Sequence, residues 1–333
     1  MKTYWPTDKK HLTQIWATAL IELSMSRGAQ LEALLRGTGL FQQDLTDVHH
    51  VISAKQLSQL IVNCQKQTRS HDLSFMLGRR LLMMQSSVFS QLLENSRNLN
   101  QAARVFQLYQ TELFPFTFGE IKSYEGDVYF ILNSSLMRDG QQFMFEVMCA
   151  AIYHSSKTMC GKLIPYSFNF EISRPRNIYQ YEENLGRRLS FSQPLNWIKI
   201  NREFLSCAIR PAPSFTRKSL LVQCREARLK DLRKEALLYI YKELRRGNAA
   251  NLEQVADLLQ ISPATLKRKL KTTGINFQQV QDSVRKQQAV FELAVCRQNN
   301  GEVAKKLKFS DVTNFRRAFK RWTGLTPAQL KAD

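Results

Sequence analysis

The residues from Asn251 to Lys271 admit few folds. Leu252, Val255, Ala256 and Leu259 fall at i, i+3, i+4 and i+7, the spacing of one apolar helix face. A short break follows and ends at Ser262-Pro263. A serine hydroxyl satisfies a free N–H of the next helix, and proline suits the first helical position because it has no N–H to satisfy. The helix so started, Pro263–Lys271, turns Leu266 and Leu270 inward and Ala264, Lys267, Arg268 and Lys271 outward. Gly274 closes it, as glycine commonly does at a helix C-terminus. Two short helices around a tight turn, the second basic on its open face, make the helix-turn-helix pattern.

The same grammar returns further along. Val303, Ala304 and Leu307 line one helix face, Phe309 anchors a turn, and Ser310 or Asp311 is placed to cap the next helix. There Phe315, Phe319 and Trp322 form an i, i+4, i+7 stripe, while Thr313, Arg316, Arg317 and Lys320 project away from it; Gly324 and Pro327 mark the end. Between the units, Gln278–Arg297 reads as one helix. At 1.5 Å per residue it spans roughly 30 Å, close to the ~34 Å between major-groove segments on one face of B-DNA.

Charge concentrates in the same place. Of 48 Lys+Arg and 28 Asp+Glu in 333 residues, the part from Phe215 onward holds 25 and 11, so +14 of the net +20 lies in the last third. A single basic helix face is ordinary solvated surface. Two capped helix pairs, both basic outward, in so cationic a segment point to a polyanionic partner, double-stranded DNA.

The stretch Leu252–Pro327 resembles the DNA-binding domain of the AraC/XylS family of bacterial regulators. The resemblance rests on Ile261-Ser262-Pro263 with Leu266-Lys267-Arg268-Lys269-Leu270. It rests above all on Phe309-Ser310-Asp311 followed by Phe315-Arg316-Arg317-Ala318-Phe319-Lys320-Arg321-Trp322-Thr323-Gly324-Leu325-Thr326-Pro327. Two positions depart from the family pattern: Lys308 stands where glycine is usual, and Asn300 where an apolar residue is usual. Lysine enters a left-handed turn only at some cost, so strain is expected at Lys308. The resemblance implies that Ala264, Thr265, Lys267 and Arg268 in the first recognition helix, and Val312, Thr313, Asn314 and Arg317 in the second, meet base edges. Lys271, Arg316, Lys320 and Arg321 suit phosphates, which set affinity more than sequence preference. It also implies promoter DNA and RNA polymerase as partners and transcription activation as the outcome.

The first two-thirds reads as α+β. From His11 to Leu113 the apolar spacing is helical, as in Leu57, Leu60, Ile61 and Cys64, and again over Gln101–Tyr109. From Phe114 to Leu136, apolar runs flank Tyr124-Glu125-Gly126-Asp127 and predict a hairpin. A helix over Gln141–Lys162 and a strand over Tyr166–Ile172 follow. Arg210-Pro211-Ala212-Pro213-Ser214 forbids helix and sets the boundary: an α+β effector-sensing or dimerisation domain, 1–214, then an all-α domain, 215–333, whose Arg217–Arg246 forms one or two helices. Residues 15–205 resemble the arabinose-binding-like domain of one branch of these regulators, which implies a small-molecule effector. Candidate pocket residues are Phe116, Phe118, Tyr129, Phe130, Met144, Met148 and His154; the competing reading makes them plain core. Arg79-Arg80 and Arg187-Arg188 are placed either for an acidic effector or as surface.

Other classes find little support. Six cysteines lack CxxC spacing and all five histidines precede residue 155, so no metal site, cofactor or disulfide frame is expected. GxSxG, HExxH and P-loop patterns are missing, which argues against an enzyme. RNA-binding signatures are missing too. With neither a signal-peptide-like start nor a bilayer-length apolar run, the expected location is the cytoplasm, away from membranes. The alternative function is an effector-independent DNA-binding repressor or architectural protein, and a homodimer is compatible with either reading.

Overall fold

The computed structural model describes residues 3–12, 14–68, 71–84, 87–114, 116–134, 138–209, 214–230, 234–248 and 250–332. The expected connector Arg210–Pro213 lies outside them. In chain order the first part holds β1 (Thr3–Tyr4), β2 (His11–Leu12), α1 (Ala19–Met25), α2 (Leu31–Leu35), β3 (Val51–Ile52), α3 (Ala54–Gln67), α4 (Leu73–Met84), α5 (Val88–Glu94) and α6 (Leu99–Leu113). The hairpin β4 (Thr117–Tyr124) and β5 (Asp127–Ser134) follows, then α7 (Arg138–Cys160), β6 (Ser167–Asn169), α8 (Ile178–Leu185), β7 (Leu189–Ser190) and β8 (Trp197–Asn201). The sheet runs β4-β5-β8-β6-β7, antiparallel except for the β6–β7 pair.

Local chemistry explains the elements the sequence announced. Leu57, Leu60, Ile61 and Cys64 form the buried face of α3, which Ser53 caps in a reciprocal box with Gln56. Glu125 and Gly126 both take positive φ in the two-residue turn of the hairpin, matching the twist of the strands it joins. The strand expected over Tyr166–Ile172 is regular only at Ser167–Asn169; the Phe170 N–H makes the last bond of its parallel ladder, to the Ser190 carbonyl, and beyond it the Ile172 carbonyl accepts from the Ser192 N–H in the neighbouring loop.

The hairpin is covered on both sides. Side chains alternate across a strand, so Val128 and Phe130 join the helical core while Tyr129 and Ile131 face the other way. On that outer face sits the C-terminal helical part. It holds α9 (Ser214–Lys230), β9 (Lys234–Glu235), α10 (Ala236–Arg246), α11 (Leu252–Leu259), α12 (Pro263–Thr272), α13 (Phe277–Val290), α14 (Asn300–Lys306), α15 (Val312–Thr323) and α16 (Pro327–Ala332). The Tyr129 ring meets Phe291 edge-on at 5.5 Å and Trp197 at 5.6 Å. Phe118 meets Tyr241 at 5.1 Å. Arg245 pairs with Glu120 at 2.9 Å, Lys286 with Glu171 at 2.8 Å, and Gln287 donates to Asn133 at 2.6 Å.

Two further contacts cross the same divide. The Arg217–Arg246 stretch forms two helices, and the first packs on α5: Leu220 and Cys224 join the N-terminal core, with the Cys224 thiol 3.3 Å from the Val88 carbonyl. At the other end of the chain β1 pairs in parallel with β9, and Trp5, 3% exposed, is buried among Leu237, Ile240 and Leu266.

Candidate nucleic-acid interface

Each recognition helix is started by the cap its sequence specifies. Ser262 Oγ accepts from the Thr265 N–H at 3.1 Å, and Asp311 Oδ1 accepts from the Asn314 N–H at 2.7 Å. That bond, foremost among its contacts, holds the Asp311 carboxyl below the usual carboxylate range. The supporting helices begin at Asn251 and Asn299, whose side chains each accept a backbone N–H at 2.9 Å.

Both turns end in the same hydrogen-bond pair. In the first unit the Gln260 N–H bonds to the Asp257 carbonyl and the Ile261 N–H to Ala256; in the second, Lys308 bonds to Lys305 and Phe309 to Ala304. This is the Schellman arrangement, which needs a left-handed residue at its pivot. The pivots are Gln260 and Lys308, both at φ +58. Strain expected at Lys308 is therefore matched by an equal distortion at Gln260 that its sequence position did not advertise.

Behind the turns, Leu266 and Leu270 seal α12 against Val255, Ala256 and Leu259, and Phe315 and Phe319 seal α15 against Val303 and Ala304. Ala264, Lys267, Arg268, Lys271, Thr313, Asn314, Arg316, Arg317, Lys320 and Arg321 are exposed; Thr265 and Val312 are half-buried at the helix starts. Among the described residues, Lys267, Arg268, Lys271, Arg316, Arg317 and Lys320 form no ion pair, so their charge stands open to an anionic partner. Arg321 pairs with Asp282 at 3.2 Å. Asn314 folds back on its own cap, donating to Ser310 Oγ at 2.9 Å and Asp311 Oδ2 at 2.7 Å.

The connecting helix differs in one detail from the single α-helix expected. α13 passes at Phe291–Val295 into a π-helical turn, in which the Cys296 N–H reaches the Phe291 carbonyl. The rod from Phe277 to Val295 is still about 28 Å long at 1.5 Å per residue.

The candidate effector residues do not converge. Phe130 lines an apolar cavity of about 120 Å³ under the inner sheet face, with Phe106, Ile152 and Met159. Met144 lines a different, polar pocket of about 350 Å³ between the sheet and α13. Phe118 and Tyr129 are spent on the C-terminal helices. Phe116, at φ +71, packs edge-on against His11 and Trp16, and Met148 is enclosed in the helical core. His154 lies against Tyr153, and burial, followed by nearby Arg79, lowers its pKa. Of the arginine pairs, Arg79 donates to Asn184 and Arg80 pairs with Glu22, while Arg188 reaches the Pro165 carbonyl at 3.3 Å. The residues that join the two parts, Glu120, Asn133, Glu171, Arg245 and Lys286, carry no local signal. The one clue was the unbroken apolar run Val128–Leu132, which suits a strand covered on both faces.

Two helix-turn-helix units with open basic faces, carried on an α+β domain, define a DNA-binding transcription regulator. Residues 28–209 match the family model for the arabinose-binding domain of AraC transcription regulator, N-terminal, and residues 255–333 match a helix-turn-helix domain. The chain belongs to the AraC family of transcription regulators. It is 28% identical over 322 residues, 95% of both chains, to the ornithine utilization regulator of Pseudomonas aeruginosa. It is 34% identical over 77 residues to the HTH-type transcriptional regulator AdiY of Escherichia coli K12, covering 23% of this chain and 30% of that one. The crystal structure of the transcriptional regulator CdpR from Pseudomonas aeruginosa covers 80% of this chain and 88% of its own, at 20% identity and a TM-score of 0.39, too loose a likeness to add to the family match. No helix among the described residues is long and apolar enough to cross a membrane.

Proposed function

We propose that this regulator grips two successive major-groove segments of promoter DNA with α12 and α15 and activates transcription there with RNA polymerase as partner. One observation carries the reading: ten of the twelve candidate contact residues are exposed on two units with the same turn geometry, joined by a rod of near groove-repeat length. Lys267, Arg268 and Arg317 are assigned to base edges, with Ala264, Thr265, Val312, Thr313 and Asn314 beside them; Lys271, Arg316, Lys320 and Arg321 are assigned to phosphates. The effector class is a basic amino acid, the chemistry that the full-length relative's name suggests. Homodimerisation is supported by α9, where Phe215, Val222 and Leu229 recur every seven residues and are 80%, 53% and 66% exposed, the spacing of a helix–helix seam.

The test is binding of the full chain to its own upstream DNA and to a scrambled duplex across a salt series. Preference for the native duplex that survives moderate salt supports the reading. Equal binding to both, falling steeply with salt, would reduce the protein to a non-specific cation.

A further inference from the structure

The pocket between the sheet and α13 is enclosed by both parts of the molecule. Asn133 and Asn196 stand on the sheet side with Glu171; Asp282, Lys286 and Trp322 stand on the helical side. Its volume, about 350 Å³, falls within the ~300–1,000 Å³ usual for small-molecule sites.

Its charges are specific. Two carboxylates, Glu171 and Asp282, face one ammonium, Lys286. Glu171 and Lys286 pair at 2.8 Å, and Asp282 holds Arg321 at 3.2 Å. Trp322 supplies an aromatic wall on the helical side.

We propose that this seam binds a basic α-amino acid, a molecule with two ammonium groups and one carboxylate. The proposal rests on the effector-controlled reading above and gives that effector its site. One ammonium meets Glu171 and the other Asp282, while the carboxylate accepts from Lys286. Every charge of the opened Glu171–Lys286 pair thereby keeps an opposite partner, which is the condition for binding charge in a partly dry site. The apolar cavity beneath the sheet is unsuited to the same ligand. At about 120 Å³ it is smaller than a cavity known to hold benzene, and its walls supply no carboxylate and no cation.

Because the walls come from both parts, the ligand strengthens their docking. An ammonium at Asp282 also competes with Arg321 and frees that guanidinium for a DNA phosphate.

The experiment is calorimetric titration of the full-length protein with L-ornithine and L-lysine, with thermal melts alongside. We expect one site per chain and a melting temperature that climbs with ligand concentration by mass action. Glu171→Gln and Asp282→Asn each weaken ligand binding at least about tenfold, the scale of one charged hydrogen bond. Each variant is read against its own ligand-free melt and ligand-free DNA binding, which separates loss of the Glu171–Lys286 pair from loss of a ligand contact. 5-Aminopentanoate, which lacks the α-ammonium, binds at least about tenfold more weakly. Failure of either amino acid to bind, or wild-type ligand affinity in Glu171→Gln, overturns the site. Either failure with sequence-specific DNA binding intact leaves the regulator reading standing, whereas loss of that specificity in the wild-type chain removes the reading itself.

Discussion

Lys308 tests the energetics of the second turn directly. It sits at φ +58, pivoting the bonds Lys308 N–H to Lys305 and Phe309 N–H to Ala304. A left-handed conformation costs an L-residue about 1–2 kcal/mol, from the approach of Cβ to the following carbonyl. Glycine escapes that cost but loses about 0.5–1 kcal/mol more conformational entropy on folding. The difference leaves Lys308→Gly more stable by about 0.5–1 kcal/mol. Lys308→Ala removes the lysine side chain and keeps Cβ, so it should stay within about 0.5 kcal/mol of wild type. Urea unfolding of the full chain without DNA is the assay: the midpoint should rise for glycine and hold for alanine, with the slope unchanged in both. Gln260→Gly repeats the measurement in the first unit, where φ and the hydrogen bonds are the same. A fall in midpoint for both glycine variants would show that the turns are not under backbone strain. Equal gains for Lys308→Gly and Lys308→Ala would trace the cost to the lysine side chain instead.

Four other outcomes follow from particular residues. Burial pushes Glu235, which caps α10, up to about 7 from an ordinary 4.5, against the pull of the Leu238 and Leu237 N–H groups and of Lys10. The folded chain thus holds that proton more tightly than the unfolded chain; its stabilising effect is full below about pH 4.5 and is lost, by about 3 kcal/mol, as pH climbs to about 7. Glu235→Gln should therefore melt like wild type at pH 4.5 and above it at pH 8, and an unchanged pH slope would refute this origin. Gly78 lies where α4 crosses α7, and a Cβ there would run into the Val147 carbonyl and come within 2.9 Å of Ala150 Cβ. Gly78→Ala should cost about 1–3 kcal/mol of stability, and a wild-type melting temperature would contradict the close crossing. In DNA binding, Arg317→Ala should relax preference at one base pair by about 1–3 kcal/mol. Lys320→Ala should weaken all sequences alike and shallow the salt slope by about one. A base-specific loss at Lys320, or none at Arg317, would reverse the two assignments.

What could be read along the chain was whatever depends on neighbours three or four residues apart. The caps at Ser262 and Asp311, the stripe Phe315–Phe319, the helix face of α3 and the Glu125-Gly126 turn were all legible because each is satisfied within one turn of backbone. So was the DNA face, since a helix that buries Leu266 and Leu270 must turn Lys267, Arg268 and Lys271 outward.

Tertiary structure decided the rest. Trp197–Asn201 is too short to announce itself, yet it is the middle strand, because only there do β5 and β6 find a shared partner. Helix α9 follows the proline connector and still belongs to the first core, since Leu220 and Cys224 need apolar cover that α5 offers. The candidate effector residues scattered for the same reason: aromatic composition marks burial, but which sheet face an aromatic takes, and what covers that face, depends on pairing over long separations. Gln287 and Asn133 meet across 154 positions. The sequence by itself determined the helix-turn-helix units and their cationic faces, which rest on local hydrogen bonds and helical periodicity. Only the folded chain could place the polar seam between sheet and linker helix, because the pairs that cross it, Glu171 with Lys286 and Asn133 with Gln287, lie 115 and 154 positions apart.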